Sequence, residues 1–377
     1  FTILVAAACP AQSLNPAIFV TNNVGDSVTS FTINPNGTLS FVGTIASGDG
    51  PQTISLSPDG RFLAVANGTA STTTEELRVF QVNSNATLTL RLTTTVLDSP
   101  LDVQWLNNSI LAVAQTNLSV ANNVRTFTYN DAGPSLTLAD TEPTGSFNSR
   151  LATARGGSLL FANNTSGSNS IRSISATPGG ALSLIDNELS GSLFSVEMGV
   201  SHDGNFLYGA GGISGDGNRI LGFSIDGGGA LAPLAPVTYT SPGESPKVIG
   251  LTDDDSILVA GHGTDATFWS FDRNVVTGDI TPTGFSFDVG LQGTLADLQI
   301  MGNLLFVTDS STATDGISGV YSFLINPDGS FTQLGPINDT FGTRPEFIAT
   351  WAGVPEPVGM TAIGLVAIAL IRRRSGA

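Results

Sequence analysis

A chain of 377 residues is long enough for one large domain or two or three ordinary ones, and it can bury a substantial core. Its 14 Lys and Arg against 31 Asp and Glu leave a net charge of −17, which makes nucleic acid and anionic lipid poor partners. Only 12% of residues are charged and 44 are glycine, a profile of short strands and tight turns; one cysteine excludes a disulfide framework, and two histidines exclude most His-rich metal chemistry.

Residues 1–12 read as the back half of a secretory signal peptide: an apolar run, then Ala6-Ala7-Ala8 as an A-x-A cleavage match. Cys9 is a candidate lipidation site, although Ala6 stands where a lipobox usually has Leu. Pro10 argues against a first core strand.

From Ala17 onward the chain repeats. A strand with a central Phe or Ile recurs roughly every 49 residues, at Phe31, Phe80, Phe127, Ile174, Phe223, Phe271 and Phe323. Each is followed by a turn and a small-x-apolar step, from Gly37-Thr-Leu39 to Gly329-Ser-Phe331. Each is preceded by a strand of large apolar and small residues, such as Phe62-Leu-Ala-Val-Ala66 or Ile110-Leu-Ala-Val-Ala114. A further strand, such as Thr53-Ile-Ser-Leu56, leads into that one through Pro58-Asp59-Gly60 or a similar turn. Four strands per unit, here A to D, repeated at this spacing predict an all-β, seven-bladed β-propeller over 17–351. The first unit lacks strand A. Thr343-Arg-Pro-Glu-Phe-Ile-Ala349 resembles the start of a strand A, so the C-terminal segment is expected to close the ring inside the first blade.

Topology assigns two faces. A–B and C–D turns are tight and share one face; the longer B–C loops and D-to-A crossovers share the other, which is where a ligand site is expected. Residues at the start of each strand A line that mouth: Gln52, Asp102, Arg150, Glu197, Lys247, Asp297 and Glu346. Lys247 is the one lysine of the sequence. With Arg150 it would pair with anionic oxygens, while Glu197 or Asp297 would orient or activate water. The competing reading is a set of salt bridges fastening adjacent blades. His262 lies in a B–C loop on the favoured face and is a candidate general base; His202 belongs to an A–B turn. Asp253-Asp254-Asp255 reads as a solvated turn, no D-x-D-x-D-G calcium loop occurs, and the sequence implies no cofactor or metal.

Ser55-Leu-Ser-Pro-Asp-Gly-Arg-Phe-Leu-Ala-Val-Ala-Asn67 and Val79-Phe-Gln-Val82 together resemble a blade of the seven-bladed lactonase family, whose best-known activity is hydrolysis of 6-phosphogluconolactone; YVTN surface-protein repeats are similar. Gly199-Val-Ser-His-Asp-Gly-Asn-Phe-Leu-Tyr208 and Ile325-Asn-Pro-Asp-Gly-Ser330 carry the same signature. The resemblance implies a His/Arg/Glu set at the channel mouth, and this chain is poorer in His and Arg than such enzymes. From the residues themselves, His262 or Glu197 would activate water and Lys247 or Arg150 would meet the developing oxyanion of lactone hydrolysis. A phosphorylated substrate fits poorly with a net charge of −17 and no basic cluster.

The chain closes with Pro355-Glu356-Pro357, an uncharged stretch from Val358 to Ile371, and Arg372-Arg373-Arg374. Fourteen residues of helix span only about 21 Å, a weak transmembrane anchor with a positive stop. Residues 352–377 closely resemble a PEP-CTERM sorting signal, a short hydrophobic helix flanked by that motif and by arginines. The resemblance implies an exosortase-type processing enzyme as partner, cleavage near Pro355–Pro357, transient membrane insertion and delivery to the cell surface or extracellular matrix; a permanent anchor is the alternative. Export signals and scarce catalytic residues favour a platform binding a saccharide, matrix polymer or protein, with extracytoplasmic lactone hydrolysis as the alternative.

Overall fold

The computed structural model describes residues 16–68, 75–96, 99–116, 123–144, 150–164, 169–191, 195–211, 218–290, 295–311 and 318–352. They form seven four-stranded antiparallel sheets, the seven-bladed β-propeller that the repeat predicts. Among the described residues no helix is long and apolar enough to cross a membrane. Residues 1–12 and the segment from Gly353 on, with its expected helix, lie outside the described residues.

Strands A ring the axis. They are Pro345–Trp351, Pro51–Leu56, Ser99–Asn107, Leu151–Ala154, Ser195–Val200, Pro246–Leu251 and Leu295–Met301, and each packs against the strands A on both sides. Strands B are continuously buried, as in Ala17–Asn22 and Phe62–Asn67, because both of their faces meet a neighbouring blade. They therefore read as apolar runs without alternation. Strands D, at the rim, alternate towards solvent, as in Leu39–Ala46.

The core is seven interblade sandwiches rather than one central mass. Between the first and last blades, for example, Ile18, Val20 and Phe31 pack with Phe306, Val320 and Ile348. Phe31, Phe80, Ile174, Phe223, Phe271 and Phe323 are fully buried in such layers. Phe127 departs from the series. It is half-buried and, with Val96, Leu136 and Leu138, lines a gap of about 230 Å³ between the second and third blades.

Closure follows the sequence expectation. Pro345–Trp351 pairs antiparallel with Ala17–Asn22, placing Ala17 opposite Trp351, Phe19 opposite Ala349 and Val20 opposite Ile348. Trp351 is buried and its indole lies over Gly60, in the A–B turn of the second blade. Gly60 has φ +71°, and a Cβ there would collide with the ring, so only glycine satisfies both the turn and the contact. Trp351→Ala should lower stability by about 3–5 kcal/mol through the cavity it leaves; a drop in urea midpoint at unchanged slope checks this.

Candidate functional site

Strands A are edge strands, so their outward N–H groups need partners from the next blade. Side chains provide them. Thr53 Oγ1 accepts from Val103 N at 3.1 Å and Ser55 Oγ from Trp105 N at 3.1 Å. Asp102 accepts from its neighbour Val103 N and, across the interface, from Leu151 N, both at 2.7 Å. Asp297 accepts from Leu298 N and, across the closing seam, from Ile348 N, both at 2.8 Å. Thus two of the sequence-predicted mouth residues join blades through carboxylate-to-backbone bonds.

The predicted ring resolves into two rows. Asp102, Arg150, Glu197 and Asp297 stand one step further along their strands than Gln52, Lys247 and Glu346, relative to the strand-B partners. Register shifts sit at this step in most of these strands, between Pro51 and Thr53, Ser195 and Met198, Pro246 and Val248, and Leu295 and Leu298. Equivalence along the sequence therefore does not bring the seven side chains into one circle.

What does come together is Asp102, Arg150, Glu197 and Asp297, around a small pocket on the channel axis lined also by Thr53, Ile54, Gln104, Gln299, Phe347 and Ile348. Arg150 is its centre. Its Nε donates to Glu197 Oε2 at 3.0 Å, its Nη1 to the Leu101 carbonyl at 3.4 Å, and its guanidinium lies 4.6 Å from the centre of the Phe347 ring. The pocket offers about 40 Å³, room for two or three waters by the volume one water needs. Gln104 and Gln299 were not foreseen. Each follows an acidic member of the ring by two residues, and the two-residue period of a strand puts both pairs on the channel side.

Three carboxyl groups around one guanidinium in a dry site cannot all ionise easily. Burial pushes Glu197 up to about 8 against the pull of Arg150, with Asp102 and Asp297 adding repulsion. Burial likewise raises Asp297 to about 7, against its two backbone donors, and Asp102 to about 6, against Arg150.

Gln52, Lys247, Glu346 and His262 are not among the lining residues. Lys247 Nζ reaches the Leu295 carbonyl at 3.4 Å, and burial lowers its pKa. Glu346 Oε1 pairs with Arg344 Nε at 2.8 Å, and burial raises its pKa. His262 is fully buried at the end of strand Ile257–His262 rather than on a surface loop. Its Nδ1 faces the Thr267 carbonyl at 3.1 Å and so carries the hydrogen, leaving Nε2 to accept from Ser241 Oγ at 2.7 Å. Burial lowers its pKa and holds it neutral, a core histidine bridging two segments of chain.

The turn face also corrects an expectation. Asp255 is buried, not solvated, and its Oδ1 accepts from the His202 backbone N at 2.9 Å while facing the His202 ring Nδ1 at 3.0 Å. His202 and Asp255 thereby join the A–B turns of the fifth and sixth blades.

With this geometry in view, the comparisons with known proteins agree on architecture. The model of the lactonase family, described as a seven-bladed β-propeller, matches residues 6–105. A 6-phosphogluconolactonase candidate from Bacteroides fragilis has a similar fold, with TM-score 0.75 at 15% identity over 91% of this chain and 100% of that one. The periplasmic gluconolactonase of Pseudomonas aeruginosa gives 0.73 at 17% identity over 91% and 99%. A protein of unknown function from Desulfotomaculum acetoxidans gives 0.68 at 16% over 89% and 98%. Identities this low carry the fold alone. No curated protein matches the chain in sequence.

The raised carboxyl pKa values fix the sign of a pH effect. A carboxyl that binds its proton more tightly folded than unfolded contributes stability at low pH and loses it as pH rises through the folded value. Stability should therefore fall from about pH 4, where these carboxyls ionise in the unfolded chain, to about pH 8, where the last of Asp102, Asp297 and Glu197 has ionised in the folded one. Glu197→Gln should flatten the upper part of that fall, measured by urea midpoints across the range.

Proposed function

We propose that the chain is an exported, lactonase-like propeller that binds a small, neutral, hydroxylated ligand, a saccharide unit or lactone, at its channel mouth, as part of a cell-surface or matrix protein. The lining of the pocket carries this reading: three carboxyls and two carboxamides accept hydrogen bonds from hydroxyl groups, while the one guanidinium is already paired with Glu197. A phosphate would find one guanidinium, already paired with Glu197, and three acidic groups whose ionisation its charge opposes. The pocket is also too small to engulf a sugar, so the ligand rests on it as a floor.

Calorimetry and glycan arrays with neutral sugars and aldonolactones test the proposal. Gln104→Ala, which removes a lining donor and acceptor without touching an interblade bond, should weaken the ligand by about three- to tenfold at unchanged melting temperature. Absence of any neutral ligand, together with fast turnover of 6-phosphogluconolactone, would overturn it.

A second reading, hydrolysis of a neutral lactone, is favoured by Glu197 alone. Beside Arg150 and with its pKa lifted to about 8, it can exchange a proton near neutrality while the guanidinium meets a developing oxyanion. The fold likeness to a periplasmic gluconolactonase makes gluconolactone the substrate to try. On this reading turnover rises with pH through about 8 as Glu197 becomes a base, and Glu197→Gln removes it; an unchanged rate in that variant eliminates Glu197 from the reaction.

The export part rests on the sequence: the apolar start with Ala6-Ala7-Ala8, and the Pro355-Glu356-Pro357 motif, apolar stretch and Arg372–Arg374 that an exosortase-type enzyme would process. Intact mass of the protein recovered from its native location should show a chain ending near Pro357.

A further inference from the structure

The place where the fold releases its C-terminal segment is fixed. Pro345–Trp351 is the innermost strand of the first blade, and it runs from the channel-mouth face to the tight-turn face. Its last residue is clamped, because Trp351 is buried and lies over Gly60 of a neighbouring A–B turn. The first strand, Ala17–Asn22, starts at the same point, with Ala17 opposite Trp351. Both ends of the ring therefore leave together, near the axis, on the face opposite the pocket.

We infer that, while the apolar stretch from Val358 to Ile371 is lodged in a membrane, the propeller stands with its tight-turn face towards the lipid and its channel mouth directed away from it. The inference rests on the membrane-inserting tail of the proposed function and adds an orientation to it.

Tether length decides the matter. From Trp351 to Val358 the chain takes seven steps through residues 352–357, a reach of at most about 25 Å when fully extended. For the mouth to face the membrane, those residues would have to cross the blade from strand A to strand D and then climb its height. Three interstrand spacings come to about 14 Å, and seven strand residues rise about 23 Å. The route needs about 37 Å, about half as much again as the tether provides. The axial route is no better. Its height takes up nearly the whole tether, and the Arg150 cluster with its small pocket occupies it.

Charge agrees with standing off rather than lying flat. The tight turns carry Asp59, Asp131, Asp203, Asp226, Asp254 and Asp328. Of the arginines there, Arg61 is paired with Asp131 at 3.0 Å and Arg155 donates to the Asp226 carbonyl at 2.7 Å. A tether of up to about 25 Å is about three times the Debye length at physiological salt, so an acidic face held near that distance meets little repulsion from anionic lipid. The mouth then stays open to ligands before any cleavage of the tail, and binding does not have to wait for release.

The test uses the full chain with Cys9→Ser, reconstituted in phosphatidylcholine vesicles that carry a quencher on the lipid headgroup. A dye on Asp328→Cys, in an exposed tight turn, is compared with the same dye on Asp288→Cys, at the mouth end of a strand D. Quenching at least about threefold stronger at position 328 is expected, and lengthening the tether by about fifteen Gly and Ser residues after Ala352 should erase the difference. Equal or reversed quenching in the unextended chain overturns the orientation while leaving the tail reading intact, as does a difference that survives the longer tether. A full chain that does not associate with vesicles overturns the tail reading and the orientation with it.

Discussion

The antiparallel pairing of Pro345–Trp351 with Ala17–Asn22 is the constraint on which the rest depends. Each blade buries its faces only against its neighbours, so a sheet missing at one position exposes two interblade layers and not one. The seam is reinforced beyond its ladder. Asp297 Oδ2 accepts from Ile348 N, Thr308 Oγ1 donates to the Glu346 carbonyl at 2.7 Å, and Thr29 Oγ1 donates to the Thr340 carbonyl at 2.6 Å. These bonds fasten the incoming segment to the blades on both sides of it. At the join, these hydrogen bonds add to an apolar layer like those between the other neighbouring blades.

The same physics shapes the candidate site. Strands A have a free edge facing the axis, and carboxylates are strong acceptors for the N–H groups of the next blade. Placing Asp102 and Asp297 there satisfies backbone donors but gathers negative charge in a narrow, poorly hydrated channel. Arg150 offsets part of it, and proton uptake offsets the remainder. The salt-bridge reading of these residues holds for Arg150 with Glu197, and the binding proposed above would draw on the same groups. Arg150 with Glu197 is an ion pair between the fourth and fifth blades and also the most polar point of the pocket.

The architecture was legible because it is written as periodicity. Seven apolar strands and seven turn signals at nearly constant spacing leave few other folds, and the segment at 343–349 announced closure by resembling the start of a strand A. The site was legible only in part. Counting along the chain placed Asp102, Arg150, Glu197 and Asp297 at the channel, but a one-residue slip at a bulge turns a side chain to the other side of a strand, and no residue pattern marks those slips. Hence Gln52, Lys247 and Glu346 were grouped with a circle they do not join. His262 was misplaced for a related reason: Gly261-His262 reads as the start of a polar loop, yet strand B continues through it and Ser241 and Thr267 satisfy both ring nitrogens. Phe347 was visible only as part of a strand, and its stacking with Arg150 needs the seam to be formed.

A seam that joins the first strand to the last also sets an order of events. Phe19 and Ala349 are partners across nearly the whole sequence. At ribosomal rates of about 5–20 residues per second, the strand that meets Phe19 is not made until tens of seconds after it. Until then the first and last blades each present a bare apolar flank, and the growing polypeptide is an open crescent with two sticky ends. Handling of the nascent polypeptide, by whatever keeps it from self-association, is therefore as much a requirement of this topology as any contact in the finished molecule.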